Sequence, residues 1–334
     1  MASNPVRFGM LSFAHIHADS YAHSIVGNPN TELIGIADTK TERAESKSAH
    51  FGTAAYSSYE ELLSQKNLDA VVICCENARH RKLVEMAASA GKHILCEKPL
   101  ATSVEDGEAM ISACRKAGVQ LMTSLPCRYS PVMKRLKERI DQGDAGEILA
   151  FRGTNRGSNP GGWFQNPAES GGGATMDHTV HVVDLMRWLL KDEVREVYAE
   201  INNGISHQEF DDISFLSLTF QRGVFATLDA SWSRPRSFPT WGDVTLEVIT
   251  SKGTLSMDMF SQNLTLYSDK QNRVSWHNWG GDMDAGMIAA FAEAVQKGTP
   301  VPISGEDGLR AAEVAFAAYR SAKSGSPISL PIST

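Results

Sequence analysis

The stretch Val6-Arg7-Phe8-Gly9-Met10-Leu11-Ser12-Phe13-Ala14 decides how this chain is read. Its first six residues form a short, mostly apolar run, as a strand buried on both faces requires. A helical pattern follows from about His17 to Val26. The turn between a strand and such a helix is where the G-x-G-x-x-G fingerprint of dinucleotide-binding folds belongs, and Gly9, Leu11 and Ala14 fall on its three glycine positions. Ala14 keeps the third position small, but Leu11 replaces the middle glycine, through which the backbone approaches a pyrophosphate. The Ser12 hydroxyl is a phosphate donor that offsets part of that loss. A second strand, Glu32–Ala37, leads to Asp38, 24 residues after Ala14. That is close to the offset of about 20 at which a carboxylate grips an adenosine ribose, favouring NAD and repelling the 2′-phosphate of NADP. The competing reading of Asp38 is an N-cap of the next helix. Gly9, Ser12, Phe13, Ala14 and Asp38 are the expected cofactor contacts from this region.

Outward from this stretch the alternation continues. Helices are expected over Thr41–His50, Tyr59–Leu63, Ala78–Ala90 and Val104–Ala117, and strands over Ala70–Cys75, His93–Cys96 and Val119–Thr123. Gly91 and Gly118 follow the last two helices, where a left-handed C-terminus favours glycine. Strand–helix alternation with right-handed crossovers predicts a doubly wound Rossmann domain over residues 1–126. The pattern then changes. After a helix at Pro131–Gln142 come a strand at Gly146–Asn155, a loop rich in Gly, Pro and Asn, and an apolar helix at Thr175–Leu190. Runs at Val194–Ile201, Ile213–Phe220, Val224–Trp232, Asp243–Thr250 and Leu264–Tyr267, with hairpin turns at 221–223 and 251–253, predict a large, mostly antiparallel sheet. Helices at Ala285–Gln296 and Glu306–Ala322 close an α+β domain over 127–334.

The 334 residues are 42% hydrophobic and 21% charged, which suits two globular domains. A net charge of −7 without a basic run argues against nucleic acid and anionic membrane as partners. Five cysteines without metal-type spacing read as reduced core thiols. The N-terminus carries no apolar leader and no run approaches a membrane span, so a cytoplasmic protein is expected.

The Thr175–Leu190 helix is apolar almost all round, hence buried. Asp177, His181 and Asp184 lie at i, i+4 and i+7 on one stripe of it. Burial shifts the titration of such groups, which suits proton transfer; the alternative is a satisfied polar network without chemistry. Asp177-His178-x-x-His181, with His15 and His17 elsewhere, also admits a metal reading, but no spacing demands one and none is expected.

Ala90-Gly91-Lys92-His93-Ile94-Leu95-Cys96-Glu97-Lys98-Pro99-Leu100 resembles the Glu-Lys-Pro segment of the Gfo/Idh/MocA oxidoreductases, which include glucose–fructose oxidoreductase and inositol dehydrogenase. Gly171-Gly172-Gly173 followed by Asp177, His181 and Asp184 resembles that family's second hallmark, and His17, Asn77, His80 and Arg128 fall where it often has such residues. His178 departs from the apolar residue many relatives carry. The resemblance implies a Rossmann domain, then a domain with an open sheet that often builds homodimers or homotetramers. It implies sugar or polyol substrates. Lys98 would touch nicotinamide ribose and reacting oxygen, with His181 as general base and Asp177 orienting it or binding substrate hydroxyls, so that the lysine loop and the histidine helix meet over the nicotinamide. Asn77, His80, Glu97 and Lys98 join the expected cofactor contacts. Arg128, Tyr129, Arg156, Trp163, Asp177, His178 and His181 are the expected substrate contacts. Hydride transfer between NAD(P) and a secondary alcohol of a sugar, cyclic polyol or glycoside is the leading expectation. A sugar epimerase or lyase that recycles its cofactor, and a non-catalytic NAD-binding regulator, are the alternatives.

Overall fold

A computed structural model of the chain describes residues 4–332. In chain order the elements are β1 Val6–Leu11, α1 Ala18–Val26, β2 Thr31–Ala37, α2 Thr41–Phe51, β3 Ala54–Tyr56, α3 Tyr59–Leu63, β4 Ala70–Ile73, α4 His80–Ser89, β5 His93–Cys96, α5 Val104–Ala117, β6 Leu121–Thr123, α6 Pro131–Asp141, β7 Ile148–Thr154, α7 Pro167–Ser170, α8 Ala174–Leu190, β8 Val194–Asn202, β9 Ile213–Phe220, β10 Phe225–Asp229, β11 Thr245–Thr250, β12 Gly253–Asp258, β13 Asn263–Ser268, β14 Arg273–Asn278, α9 Met283–Lys297, α10 Gly305–Ser324 and β15 Ile328–Ser329. They form two compact units. One holds residues up to Pro126 together with Asp282–Leu309; the other holds Cys127–Gly281 and the chain from Arg310 onward.

The first unit is built on a six-stranded parallel sheet in the order β3-β2-β1-β4-β5-β6. Its central strand β4 is apolar and buried at every position, and β1 at all but Arg7, because both faces are covered. On one face Leu11, Ile73 and Ile94 pack with Leu83 and Val84 of α4 and Met110 of α5. On the other, Phe8 of β1 meets Phe291 of α9 at 5.9 Å between ring centroids. The sequence reading assigned 127–334 to the second domain; α9 lies instead with the first unit because its buried Met287, Ile288 and Phe291 help to cover this sheet. Strand order reverses between β1 and β4, so a crevice opens beyond their carboxyl ends, at Leu11 and Ile73, where ligands of open parallel sheets bind.

The second unit carries a seven-stranded sheet in the order β12-β11-β7-β10-β9-β8-β15. Only the β7–β10 pair is parallel. Helix α8 lies close on one face: a Cβ at Gly153 would come within 2.6 Å of Val182 and 2.9 Å of Met186. The other face is open, with Phe215 and Phe225 exposed on adjacent strands. The fold is thus an N-terminal Rossmann unit followed by an α+β unit with a large, mostly antiparallel sheet. The β13–β14 hairpin stands apart from it.

Candidate functional site

In the first unit, β1 runs through Leu11 and the turn begins at Ser12. Gly9 is mid-strand, its α-carbon facing Leu62 and Leu68, and Leu11 is fully buried in the core. A glycine is therefore not called for at 11. Ser12 takes the left-handed conformation instead, with φ of 76°, a geometry that favours glycine. Its hydroxyl offsets the strain: Oγ donates to Asp38 at 3.1 Å and accepts from the Ala14 N–H at 3.1 Å. The Phe13 N–H also donates to Asp38, at 2.7 Å. The Phe13 ring packs beside Phe51 and under the Lys47 ammonium.

Asp38 lies at the end of β2, almost completely buried. Burial raises its pKa, but hydrogen bonds from Arg43 and from the Lys40 and Phe13 amides more than reverse this and hold it below the usual carboxylate range. The turn fits a dinucleotide on two observations. It opens into α1 at the crevice where strand order reverses, and the one acid in the first turn of α1, Asp19, is neutralised by Lys47 at 2.5 and 2.7 Å.

Asn77 and His80 are buried just beyond β4. The His80 Nδ1–H donates to the carbonyls of Pro99 and Leu100 at 3.1 and 3.2 Å, and burial lowers its pKa, so the ring is neutral. His80 thereby ties α4 to the turn that carries Lys98, which leaves β5 with 3% of its surface exposed. Beside it, Glu97 is wholly buried and accepts from His17 Nδ1 at 2.7 Å and Tyr21 Oη at 2.8 Å. Burial pushes the Glu97 carboxyl up, and the neighbouring His15, His17 and Lys98 outweigh burial and hold it far below the usual range. His15, His17 and Glu97 are metal-binding residue types within 4.8 Å of one another. His15 Nδ1 accepts the His17 N–H at 3.2 Å, and its Nε2 lies 3.5 Å from Glu97. One of the two His15 nitrogens is thus engaged by the backbone, and the carboxylate already accepts from His17 and Tyr21.

In the second unit the three glycines before α8 allow a close approach. A Cβ at Gly173 would come within 2.1 Å of the Asp211 carbonyl. The Asp211 carboxylate accepts from the amides of Gly173 and Thr175, both at 2.8 Å, and from the hydroxyls of Thr175 and Tyr319, both at 2.7 Å. A residue far along the chain thus supplies the N-cap that α8 lacks. All three residues of the polar stripe are buried. Asp177 Oδ2 accepts from Trp232 Nε1 at 3.1 Å and lies 3.3 Å from His178 Nε2. His181 Nδ1 lies 3.8 Å from Cys127 Sγ. Asp184 forms a two-pronged pair with Arg128, at 2.8 and 2.5 Å. Tyr129, next to that pair in sequence, is half-buried, and this burial pushes its hydroxyl up to about 12.

The other expected substrate contacts in this unit scatter more widely. Arg156 is held by Asp243, with Nε at 3.0 Å and Nη2 at 2.9 Å, a carboxylate it shares with Arg234. Trp163 stacks on Phe164 at 4.0 Å beside the small cluster of Phe210 and Trp232. His178 packs edge-on against both Trp232 and Trp241, with ring centroids 6.4 and 6.1 Å away. Sequence reasoning missed Arg43, Tyr21, Asp211 and Trp241. Tyr21 and Asp211 act through partners distant in the chain, Trp241 sits in a loop without a motif, and Arg43, though only five residues from Asp38, belongs to no motif.

Comparison with known proteins matches residues 6–125 to the oxidoreductase family with an NAD-binding Rossmann fold, and residues 133–256 to the GFO/IDH/MocA C-terminal domain. The myo-inositol 2-dehydrogenase of Thermotoga maritima is 28% identical, over 95% of this chain and 96% of its own. The scyllo-inositol 2-dehydrogenase (NAD(+)) of Bacillus subtilis is 26% identical, over 97% of this chain and 95% of its own. The crystal structure of GenD2 from gentamicin A biosynthesis, in complex with NAD, shares the fold, with a TM-score of 0.90 at 24% identity over 98% of this chain and 97% of that one.

Proposed function

This chain belongs to the GFO/IDH/MocA oxidoreductases and is an NAD(P)-dependent dehydrogenase or reductase; from that premise we propose that it transfers a hydride between NAD and a secondary alcohol of a sugar, cyclic polyol or glycoside. The observation that carries this reading is the polar stripe of α8, where Asp177 and His181 share one face of a buried helix. Inositol dehydrogenases among the relatives support the substrate class.

A bound nicotinamide supplies the hydride acceptor or donor. The chain's own residues do the rest. Lys98 holds its ammonium toward the reacting oxygen and stabilises the alkoxide as the hydroxyl proton leaves. His181 takes that proton, or returns it in the reductive direction. With Nδ1 turned to Cys127, the nitrogen left for this exchange is Nε2. Asp177, fixed by Trp232, orients the substrate hydroxyls. Tyr129, Trp163 and His178 line the substrate, while Arg128 and Arg156, engaged by Asp184 and Asp243, hold the surrounding walls. Asp38 supports NAD over NADP, since an acid at the end of β2 opposes a 2′-phosphate. The exposed Phe215 and Phe225 on the open sheet support a homo-oligomer.

The test is equilibrium binding of NAD and NADP, followed by turnover against inositols, aldoses and their glycosides. NAD binding with turnover of at least one such compound is expected. NAD binding without turnover of any would instead favour a regulator on the same fold.

A further inference from the structure

Trp241 is an exposed aromatic that the backbone holds rigidly. The extension of β7 and the loop before β11 are joined by an antiparallel bridge between Gly157 and Gly242. Around it the Ser158 amide donates to the Trp241 carbonyl at 2.9 Å and the Asp243 amide to the Arg156 carbonyl at 2.7 Å. Both glycines are needed for this approach. A Cβ at Gly242 would fall 2.2 Å from the Arg156 carbonyl oxygen, and one at Gly157 would fall 2.6 Å from His178 and 3.2 Å from the Trp241 ring.

The indole is also fixed on two edges, by His178 at 6.1 Å and 64° and by Phe260 at 5.7 Å and 76°. Nevertheless 49% of Trp241 is exposed, against 3% for Trp232, which also packs against His178. Two glycines and a strand bridge thus hold in place a large apolar surface that stays in water. A rigid, half-exposed indole binds a flat apolar surface with little loss of conformational freedom.

Its place on the molecule names the ligand. His178 buttresses Trp241 and precedes His181 by three residues, about 4.5 Å along the α8 axis. The Trp241 ring centroid lies 6.1 Å from that of His178, whose Nε2 is 3.3 Å from Asp177 Oδ2. It is therefore one side chain removed from Asp177, where a second ring attached to the one held by Asp177 would lie. We propose that Trp241, buttressed by His178, is a stacking subsite for a ring-shaped substituent on the substrate, so that the preferred substrates are glycosides carrying a sugar or aryl ring rather than free monosaccharides or inositols. This rests on the sugar or polyol reading of the α8 stripe.

The test uses free sugars, their methyl glycosides, their phenyl glycosides and the corresponding disaccharides in the gluco, galacto and manno series, together with myo-inositol. Wild-type protein is expected to show its highest kcat/KM on ring-bearing glycosides. Trp241→Ala should lower that value by about tenfold while leaving free sugars, methyl glycosides and inositol within about twofold. Trp241→Phe should retain most of it. Calorimetric binding of the phenyl glycosides and disaccharides should weaken in parallel, and whichever of the two loses more identifies an aryl or a sugar occupant. Equal effects of Trp241→Ala on all substrates, or none on any, would overturn the subsite while leaving the dehydrogenase reading intact. Wild-type protein inert toward the whole panel would remove the reading and the subsite together.

Discussion

The Arg43 guanidinium lies across the Asp38 carboxylate, with Nε 2.7 Å from Oδ2 and Nη2 2.6 Å from Oδ1. Asp38 also accepts from the Ser12 hydroxyl and from the amides of Phe13 and Lys40. A carboxylate offers about four lone-pair positions, so five donors saturate it. A ribose hydroxyl can reach Asp38 only by displacing one of them, and the side chain of Arg43, partly exposed and anchored at one end only, is the donor able to leave.

Arg43→Ala should therefore leave NAD binding unchanged or tighter, because a competitor for Asp38 is gone. The same change strips Asp38 of its neutralising cation and should weaken NADP binding by about tenfold. Asp38→Ala should weaken NAD binding and loosen the turn at Ser12. Dissociation constants for both cofactors, measured by titration on the three proteins, check this. Weaker NAD binding in Arg43→Ala would show that the cation holds the cofactor directly.

Glu97 sets the acid limit of the first unit. Its folded pKa is depressed, so its contribution to stability is complete above the unfolded carboxyl value, about 4.3, and is lost as pH falls through the folded value. Urea unfolding across a pH series should show stability declining below about pH 5. Glu97→Gln should flatten that decline and cost about 3 kcal/mol at neutral pH, since it breaks a buried network of His15, His17 and Tyr21. A variant as stable as wild type at neutral pH would show that the histidines do not depend on the carboxylate.

Asp211 clamps the start of α8. Asp211→Ala should lower stability by about 2 kcal/mol, the upper range for a lost helix cap, and reduce kcat more than it raises KM. Asp211→Asn, which keeps an acceptor, should recover part of both. Thermal unfolding together with steady-state kinetics separates these effects; a stability loss at unchanged kcat would limit Asp211 to a structural role.

The Rossmann half was legible because buried parallel strands and capped helices leave strong local patterns, as Val6–Leu11 and the left-handed Gly118 show. The phosphate turn was misregistered by one consideration. Glycine was sought at 11, but the residue with positive φ is Ser12, whose side chain supplies the compensation. The strands β3, β12 and β14 leave a weak signal because they are short and largely exposed, with β12 and β14 each carrying only two alternating apolar residues. The α8 stripe was legible from spacing alone. Its supports were not: Asp211, Cys127 and Trp241 reach α8 through contacts that depend on the tertiary fold rather than on any interval along the chain.

The most direct measurement is the formation of reduced nicotinamide when enzyme, NAD and the best sugar or polyol are mixed, compared across wild type, Lys98→Ala and His181→Ala. Wild type should reduce NAD, and each variant should fall by about a thousandfold while still binding NAD. Reduction at the wild-type rate in either variant would contradict the roles assigned to these two side chains.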